Sequence, residues 1–156
     1  MKGLDIEPER VLTLFATIDM SSNKFHGGIP EIVGNLISLQ LLNFSHNSLT
    51  GHIPSSLGNL TALESLDLST NKLVGEIPMQ LIGLKFLEVL NLSQNQLVGL
   101  IPQGNQLNTF LNDSYDGNLG LFGFPVSKSC GKGEEQEPPE SAFHKEFILV
   151  HWIGNL

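Results

Sequence analysis

The sequence is poor in cysteine and in basic residues. Among its 156 residues Cys130 is the single cysteine, so no disulfide can form within one chain. A lone cysteine fits a reduced intracellular protein and equally a secreted one that has lost its pairing partner. Eight Lys and Arg stand against sixteen Asp and Glu, for a formal net charge of −8. Because nucleic acids and anionic membranes need clustered cations, we expect neither as a partner.

Long apolar runs are also missing near both ends of the sequence. Residues 1–16 lack the charged start, apolar core and cleavage site that predict a secretory signal. The apolar segment 147–153 would span about 10 Å as a helix, against about 30 Å for a bilayer core. Residues 132–145 are acidic and contain Pro138-Pro139, a composition that predicts a linker. This chain is therefore expected to lack both a signal peptide and a transmembrane helix.

Patterns typical of catalysis or metal binding are weak. Ser21–Lys24 and Ser129–Lys132 match the Ser-x-x-Lys pattern of some acyl-transfer enzymes. Such enzymes place the pair at the start of a helix in a pocket, whereas these matches fall in a repeat loop and in the tail. The five histidines show no metal-ligand spacing. The sequence predicts no enzyme activity, no cofactor and no metal.

A 24-residue repeat occupies positions 17–103 and is written four times. Its fixed positions are an asparagine, a serine two residues before it, a glycine four residues after it and an Ile-Pro pair that closes the unit. The asparagines are Asn23, Asn47, Asn71 and Asn95. A fixed period of this length is the signature of a solenoid, in which stacked repeats bury a face that one repeat cannot bury alone.

Each fixed position has a physical role in the coil. The alternation Leu66-Asp67-Leu68 predicts a short strand with its leucines inward, so we expect parallel strands near 18–20, 42–44, 66–68 and 90–92. An asparagine carries both a donor and an acceptor, and one in every coil can hydrogen-bond the backbone of its own and the next coil. The fold class is an α/β solenoid with strands on the concave face and a mostly irregular or 3-10 convex side.

Four regions follow from the pattern. Residues 1–16 form a partial repeat or entry segment, 17–103 the four repeats, 104–131 a C-terminal cap, and 132–156 an acidic linker with a truncated apolar tail. In the cap, the period is lost and Gly, Asn and Phe accumulate. We expect its apolar side chains to cover the last coil, namely Phe110, Leu121, Phe122 and Phe124.

The unit running from Leu60 to Ile77-Pro78 resembles the plant-specific class of leucine-rich repeat. The flanking segments 1–5, 102–110 and 117–125 resemble the end of the ectodomain of plant leucine-rich-repeat receptor-like proteins, cell-surface immune receptors without a kinase domain. The resemblance implies the extracellular side of the plasma membrane and a transmembrane helix beginning near residue 147. It also implies a Leu-Cys-Gly-x-Pro capping motif with a disulfide, but Phe122 stands at the position of its first cysteine.

The resemblance implies a non-catalytic protein-interaction module that signals through a co-receptor kinase. The expected partner is the ectodomain of that kinase, contacted just past the last strands by Thr70, Gln94, Gln96 and Asn105, and no stable self-association is expected. A secreted inhibitor of microbial cell-wall hydrolases and a non-signalling receptor remnant are the alternatives. The acidic, proline-containing tail favours the receptor over the inhibitor, because a free inhibitor has no use for a juxtamembrane spacer.

Four sequons mark candidate glycosylation sites, at Asn43, Asn59, Asn91 and Asn112. Two of them, Asn43 and Asn91, fall inside the repeat pattern on the strand face. Two coils apart, their glycans would lie about 10 Å from each other, since neighbouring strands are about 4.8 Å apart.

Overall fold

The computed structural model describes residues 17–126, in which short strands alternate with 3-10 helices. In chain order the strands are β1 (Thr17–Asp19), β2 (His26–Gly28), β3 (Leu41–Asn43), β4 (Ser48–Thr50), β5 (Ser65–Asp67), β6 (Val74–Gly75), β7 (Val89–Asn91), β8 (Gln96–Leu100) and β9 (Gly120–Phe122). The 3-10 helices are Glu31–Asn35, Ser55–Asn59, Met79–Gly83, Asn105–Thr109 and Asn112–Ser114. The entry segment 1–16 and the tail with Cys130 lie outside the described residues.

The concave face is a four-stranded parallel sheet in the order β1-β3-β5-β7. Its register follows the repeat period, with Ile18 beside Leu42 and Leu66 beside Leu90. The solenoid prediction is thus confirmed. Each strand begins one residue earlier than predicted, because the carbonyl of Gln40 accepts from the amides of both Glu64 and Ser65 and so starts the pairing ahead of the inward leucine.

A second set of parallel strands runs along the side of the solenoid with a different register. There β2 pairs with β4, β6 with β8, and β8 with β9. Paired residues on the concave face are 24 positions apart in the sequence, as in Thr17 and Leu41. Here they are 22 positions apart, as in His26 beside Ser48 and Val98 beside Gly120. Each coil is therefore displaced by two residues relative to its neighbour on this side but not on the concave face.

The core is a column of leucines that fills the inside of the coils. Leu42, Leu66, Leu68 and Leu92 have no exposed surface, and each such side chain contributes about 1.5–3 kcal/mol by burial. Stacking is what buries them. In the first coil, Met20 occupies the position of Leu68 and Leu92 and remains 44% exposed, because no described coil lies on its outer side.

On the convex side the 3-10 helices Glu31–Asn35, Ser55–Asn59 and Met79–Gly83 each directly follow an Ile-Pro pair. The carbonyl of Pro54 accepts from the amide of Leu57, and Leu57 in turn accepts from Leu60. Proline fits here because its extended φ and ψ precede the turn and it has no amide to satisfy. No α-helix occurs among residues 17–126.

Residues 104–126 continue the stack as a shortened fifth coil. The amides of Leu92 and Gln94 donate to the carbonyls of Ser114 and Asp116, and β9 extends the side sheet. The expected cover is formed by Phe110 and Leu121, which are buried, and by Phe122, which is half-buried. Phe124 is 58% exposed and does not cover the last coil; the buried side chains missing from the prediction are Leu107 and Tyr115.

Candidate interaction surface

The asparagine of each repeat holds two coils together. Asn95 donates through Nδ2 to the carbonyls of Leu68, Leu92 and Ser93, at 2.9, 3.2 and 3.3 Å, and its Oδ1 accepts from the amide of Leu73 at 3.0 Å. Asn71 and Asn47 repeat this pattern one and two coils earlier. The sequence predicted bonds to the next coil. Each asparagine instead bonds the coil that precedes it in the chain, because its side chain points toward that coil.

The two ends of this asparagine ladder differ. Asn23 is exposed, and its bonds within residues 17–126 are to the carbonyls of Met20 and Ser21 in its own coil. At the other end Asn118 is a fifth rung, which the sequence pattern missed. It donates to the carbonyls of Leu92 and Tyr115 and accepts from the amide of Leu97. It follows Asn95 one position sooner than the repeat period requires, and a search that allowed a slip of one position would have found it.

The position just before the ladder asparagine of each of the four repeats forms an exposed ridge at the edge of the concave sheet. We call this set of residues the ridge: Ser22, His46, Thr70 and Gln94. All four have a left-handed backbone with φ of 54–56°. Such a conformation costs a residue other than glycine about 1–2 kcal/mol. The ridge therefore combines exposed polar side chains with a strained backbone.

Stacking imposes this backbone conformation. The amide of Thr70 donates to the carbonyl of Ser93 in the following coil at 2.9 Å, and the carbonyl of Thr70 accepts from Asn47 of the preceding coil at 3.2 Å. Gln94 has the same pair of bonds, to Asp116 and from Asn71. Thr70 and Gln94 are thus fixed on both sides by backbone hydrogen bonds, so their side chains leave the scaffold in a defined direction.

Next to the ridge, the outward residues of the concave strands form a row that alternates between carboxylates and amides. These are Asp19, Asn43, Asp67 and Asn91. Their Oδ1 atoms accept from backbone amides two residues later, in each case a serine, at 2.9–3.1 Å. The side-chain hydrogen bond from Ser21, its backbone amide and the neighbouring Asn43 lower the pKa of Asp19 below its ordinary value. This row closes the turns that lead into the ridge.

The four sequon asparagines occupy two environments. Asn59 is exposed at the end of a 3-10 helix on the convex side, and Asn112 is exposed at the start of the 3-10 helix Asn112–Ser114, which contacts β7 at the end of the concave sheet. Asn43 and Asn91 are half-buried on the concave face, where their side chains close the turns described above.

The structure brings together three of the four residues expected at the partner contact. Thr70 and Gln94 are neighbours on the ridge, and Gln96 begins β8 two residues further on; all three are exposed. Asn105 begins the 3-10 helix Asn105–Thr109, which stacks on the convex side against Met79–Gly83. Residues 97–104 therefore lie between Gln96 and the helix that Asn105 begins, and that helix lies on a different side of the solenoid from the ridge.

An apolar hollow of about 180 Å³ opens at the edge of the first coil, lined among others by Phe25, Ile29 and Phe44. In later coils the residue corresponding to Phe25 is a leucine buried beneath the preceding coil, as Leu73 is. The hollow thus lies at the end of the stack of described coils. Within residues 17–126 no group of three or more His, Cys, Asp or Glu side chains could hold a metal ion.

Comparison with known proteins identifies the repeats. Two leucine-rich-repeat family models match residues 16–73 and 86–114. The chain is 62% identical over 160 residues to receptor-like protein Cf-9 of Solanum pimpinellifolium, in a match that covers 99% of this chain and 18% of that protein. The chain belongs to the plant leucine-rich-repeat receptor-like proteins. It spans less than a fifth of the length of this relative.

Solved plant ectodomains share the fold. A chain in the crystal structure of the BIR3–SERK2 complex of Arabidopsis thaliana matches with a TM-score of 0.67 and 41% identity, over 70% of this chain and 58% of that one. A chain of the Arabidopsis receptor kinase HAESA in complex with the peptide hormone IDA and the co-receptor SERK1 matches with a TM-score of 0.62 and 40% identity, over 74% and 19%. Among residues 17–126 of the receptor-like chain, no helix has the length and apolar character to cross a membrane.

Proposed function

We propose that this segment is a non-catalytic interaction module, located on the extracellular side of the plasma membrane, that pairs a plant immune receptor-like protein with the ectodomain of a co-receptor kinase. The observation that carries the proposal is the row of exposed ridge side chains on a scaffold whose turns are fixed by buried hydrogen bonds. The relatives are receptor-like proteins, which favours this role over a secreted inhibitor of hydrolases.

A binding role, as opposed to a catalytic one, is supported by the surroundings of Ser21–Lys24, the Ser-x-x-Lys match that lies within the described residues; Ser129–Lys132 lies outside them. In the segment Ser21–Lys24, Lys24 is exposed and the residues form the turn between β1 and β2. An acyl-transfer site requires a nucleophile and a base held together away from bulk water. A solvent-facing repeat turn does not provide that environment. The module therefore needs no cofactor.

The contact we propose is formed by Thr70, Gln94 and Gln96, and we leave Asn105 out of it because its helix stacks on the convex side. These three side chains are polar and uncharged, and they cover two coils only. Small polar interfaces gain little apolar burial against the entropy lost on association. We therefore expect micromolar or weaker affinity, with no requirement for a metal and no self-association.

The positions of the sequons indicate where glycans would lie relative to the proposed contact. We propose glycans on the exposed Asn59, on the convex side away from the ridge, and on the exposed Asn112, in the capping coil beside β7. Glycans on Asn43 and Asn91 would have to accommodate the hydrogen bonds that these side chains make to the turns of their own coils.

The test is a titration of the purified, glycosylated chain against a co-receptor ectodomain that is itself a leucine-rich-repeat solenoid. Thr70→Arg and Gln94→Arg place bulk and charge in the proposed contact. We expect micromolar binding by the unmodified chain and at least about a tenfold loss in each variant. Binding that is insensitive to both changes would place the contact elsewhere, and no binding up to high micromolar concentration would favour the receptor-remnant alternative.

A further inference from the structure

The side sheet becomes apolar at its last two coils. In β8, Val98 and Leu100 point outward and are 45% and 57% exposed, and in the capping coil Phe124 is 58% exposed. The residues at the positions of Val98 and Leu100 in the first two coils are polar or lack a side chain: His26, Gly28, Thr50 and His52. The apolar surface is therefore confined to one end of the side sheet.

These side chains form one continuous patch. Leu100 lies beside Phe122 in the register of β8 and β9. A Cβ on Gly120 would lie 2.5 Å from Cγ1 of Val98, and one on Gly123 would lie 2.6 Å from Cδ1 of Leu100. Both side chains therefore lean over the capping coil and meet its aromatic residues. We call this set of residues the lateral patch: Val98, Leu100, Phe122 and Phe124.

A carboxylate borders the lateral patch. Glu76 takes the position of Leu100 one coil earlier and is exposed. A Cβ on Gly99 would lie 3.0 Å from Cγ of Glu76, so this side chain reaches toward Leu100, the next residue of β8. A segment that fits this surface carries a cation next to apolar side chains, because the cation can face Glu76 while the apolar groups leave water.

We propose that residues 144–153 of the same chain dock on the lateral patch. This segment lies outside the described residues, and it combines Lys145 with the apolar run 147–153. The run is too short to cross a bilayer as a helix. Docking removes its apolar side chains and those of the patch from water together, and it brings Lys145 within reach of Glu76.

The connection to the capping coil makes a weak contact sufficient. Val126 lies two residues after Phe124 of the patch, and residues 127–143 join it to the proposed segment. A linker of that length has an end-to-end distance of about 23 Å, which gives the segment a local concentration in the millimolar range. A contact with millimolar intrinsic affinity is then occupied about half of the time.

Docking also has a consequence for partner binding, and this step rests on the proposed function. Gln96, Val98 and Leu100 alternate along β8 and so share its outward face. A segment on the lateral patch therefore adjoins Gln96, which belongs to the proposed partner contact. The docked segment hinders the partner, and its release exposes the full contact.

The experiment uses Trp152, the single tryptophan of the chain, which lies in the proposed segment. In the full chain, docking shields its indole from acrylamide. Leu100→Glu places a charge in the patch and should raise the quenching constant at least about twofold if the segment is docked at least half of the time. The matched control is Met79→Glu, since Met79 is an apolar side chain 71% exposed on the convex side, and it should change nothing. An unchanged Tm confirms that both variants fold.

A charge exchange tests the pairing with Glu76. Glu76→Lys should raise the quenching constant of Trp152, because it sets two cations against each other. Adding Lys145→Glu to the same chain should lower the constant again. If the second change brings no recovery, the segment does not meet Glu76, and the proposed placement is wrong.

Three results would overturn the docking. Equal quenching in the unmodified chain and in Leu100→Glu would show that the segment does not dock. Shielding that depends on protein concentration would assign the patch to a second copy of the chain. Shielding that appears only after zwitterionic lipid vesicles are added would assign the segment to a lipid surface.

Partner binding is measured with Leu149→Glu, which releases the segment without changing any residue of the solenoid. Kd for the co-receptor ectodomain should tighten at least about twofold. An unchanged Kd would refute the hindrance of the partner. If Trp152 is shielded but no form of the chain binds the ectodomain, the proposed function has failed and the docking still holds.

Discussion

The asparagine ladder predicts a large and position-dependent loss of stability in Asn95→Ala. Four hydrogen bonds disappear, but the three carbonyls keep other donors: Leu68 retains Asn71, Leu92 retains Asn118, and Ser93 retains the amide of Thr70. The amide of Leu73 loses the partner it has in Asn95, in a fully buried residue. One orphaned buried amide costs about 1–3 kcal/mol.

Adding the smaller loss from the other bonds, we expect Asn95→Ala to lower the free energy of unfolding by about 2–4 kcal/mol. At roughly 4 °C for each kcal/mol in a domain of this size, Tm falls by about 8–16 °C in a thermal melt followed by circular dichroism. The matched control is Asn23→Ala, an exposed rung whose bonds among the described residues stay in its own coil, for which the loss should stay within about 0.5 kcal/mol.

Replacing Asn95 with aspartate adds a pH test of the same bonds. One oxygen still accepts from Leu73, while the other replaces Nδ2 opposite three carbonyls, so burial and repulsion raise the folded-state pKa above the unfolded value of about 3.9. The folded state then binds its proton more tightly. Stability is retained below about pH 4 and lost as pH rises through the folded pKa. Equal losses in the Asn95 and Asn23 variants, or a pH-independent Asn95→Asp, would refute the ladder argument.

Two further predictions concern close packing and the capping coil. In Gly58→Ala the new Cβ would lie 2.6 Å from the carbonyl oxygen of Gln80, which must shift. We expect the free energy of unfolding, measured by chemical denaturation, to fall by about 1–3 kcal/mol. In the control Gly83→Ala the nearest atom is 3.7 Å away and stability should change little, so equal effects of the two changes would contradict the packing argument. Tyr115 carries a buried hydroxyl without a hydrogen-bond partner, so Tyr115→Phe should raise stability by about 1 kcal/mol. Burial also raises the pKa of Tyr115 to about 12. The tyrosine therefore ionises first in the unfolded chain, and stability falls between about pH 10 and 12, a dependence that Tyr115→Phe should lose. The pKa can be measured by absorbance titration of this single tyrosine, and an ordinary value would contradict the burial argument.

The repeat units were predictable because one physical requirement recurs in every coil. Each coil must place a leucine inward at positions such as Leu66 and Leu90, and must satisfy a buried turn with an asparagine. Such requirements leave the same residue at the same spacing. The regular period therefore gave the sheet, its parallel pairing and the confirmed family resemblance directly.

The capping coil was harder to predict because it departs from the repeat period in two opposite directions. Counted from Met79–Gly83, its 3-10 helix Asn105–Thr109 begins two positions later than the repeat period would place it, whereas Asn118 comes one position early after Asn95. The stack tolerates the extra residues on the convex side because the turn there can lengthen without breaking the ladder. A search at a fixed period of 24 residues detects only that the register is lost after residue 103. It therefore predicts a cap and misses Asn118 as the fifth ladder asparagine.

The ridge could not be predicted from backbone preferences at all. Propensity places glycine or asparagine at positive φ, and it would have assigned Thr70 to an ordinary extended conformation. What fixes Thr70 is the pair of hydrogen bonds to Ser93 and Asn47 in the neighbouring coils, so the strain is a property of the stack and is absent from an isolated repeat. The same bonds that make the ridge unpredictable make it rigid, and a weak polar interface depends on that rigidity, because side chains already fixed in direction lose less entropy when a partner binds.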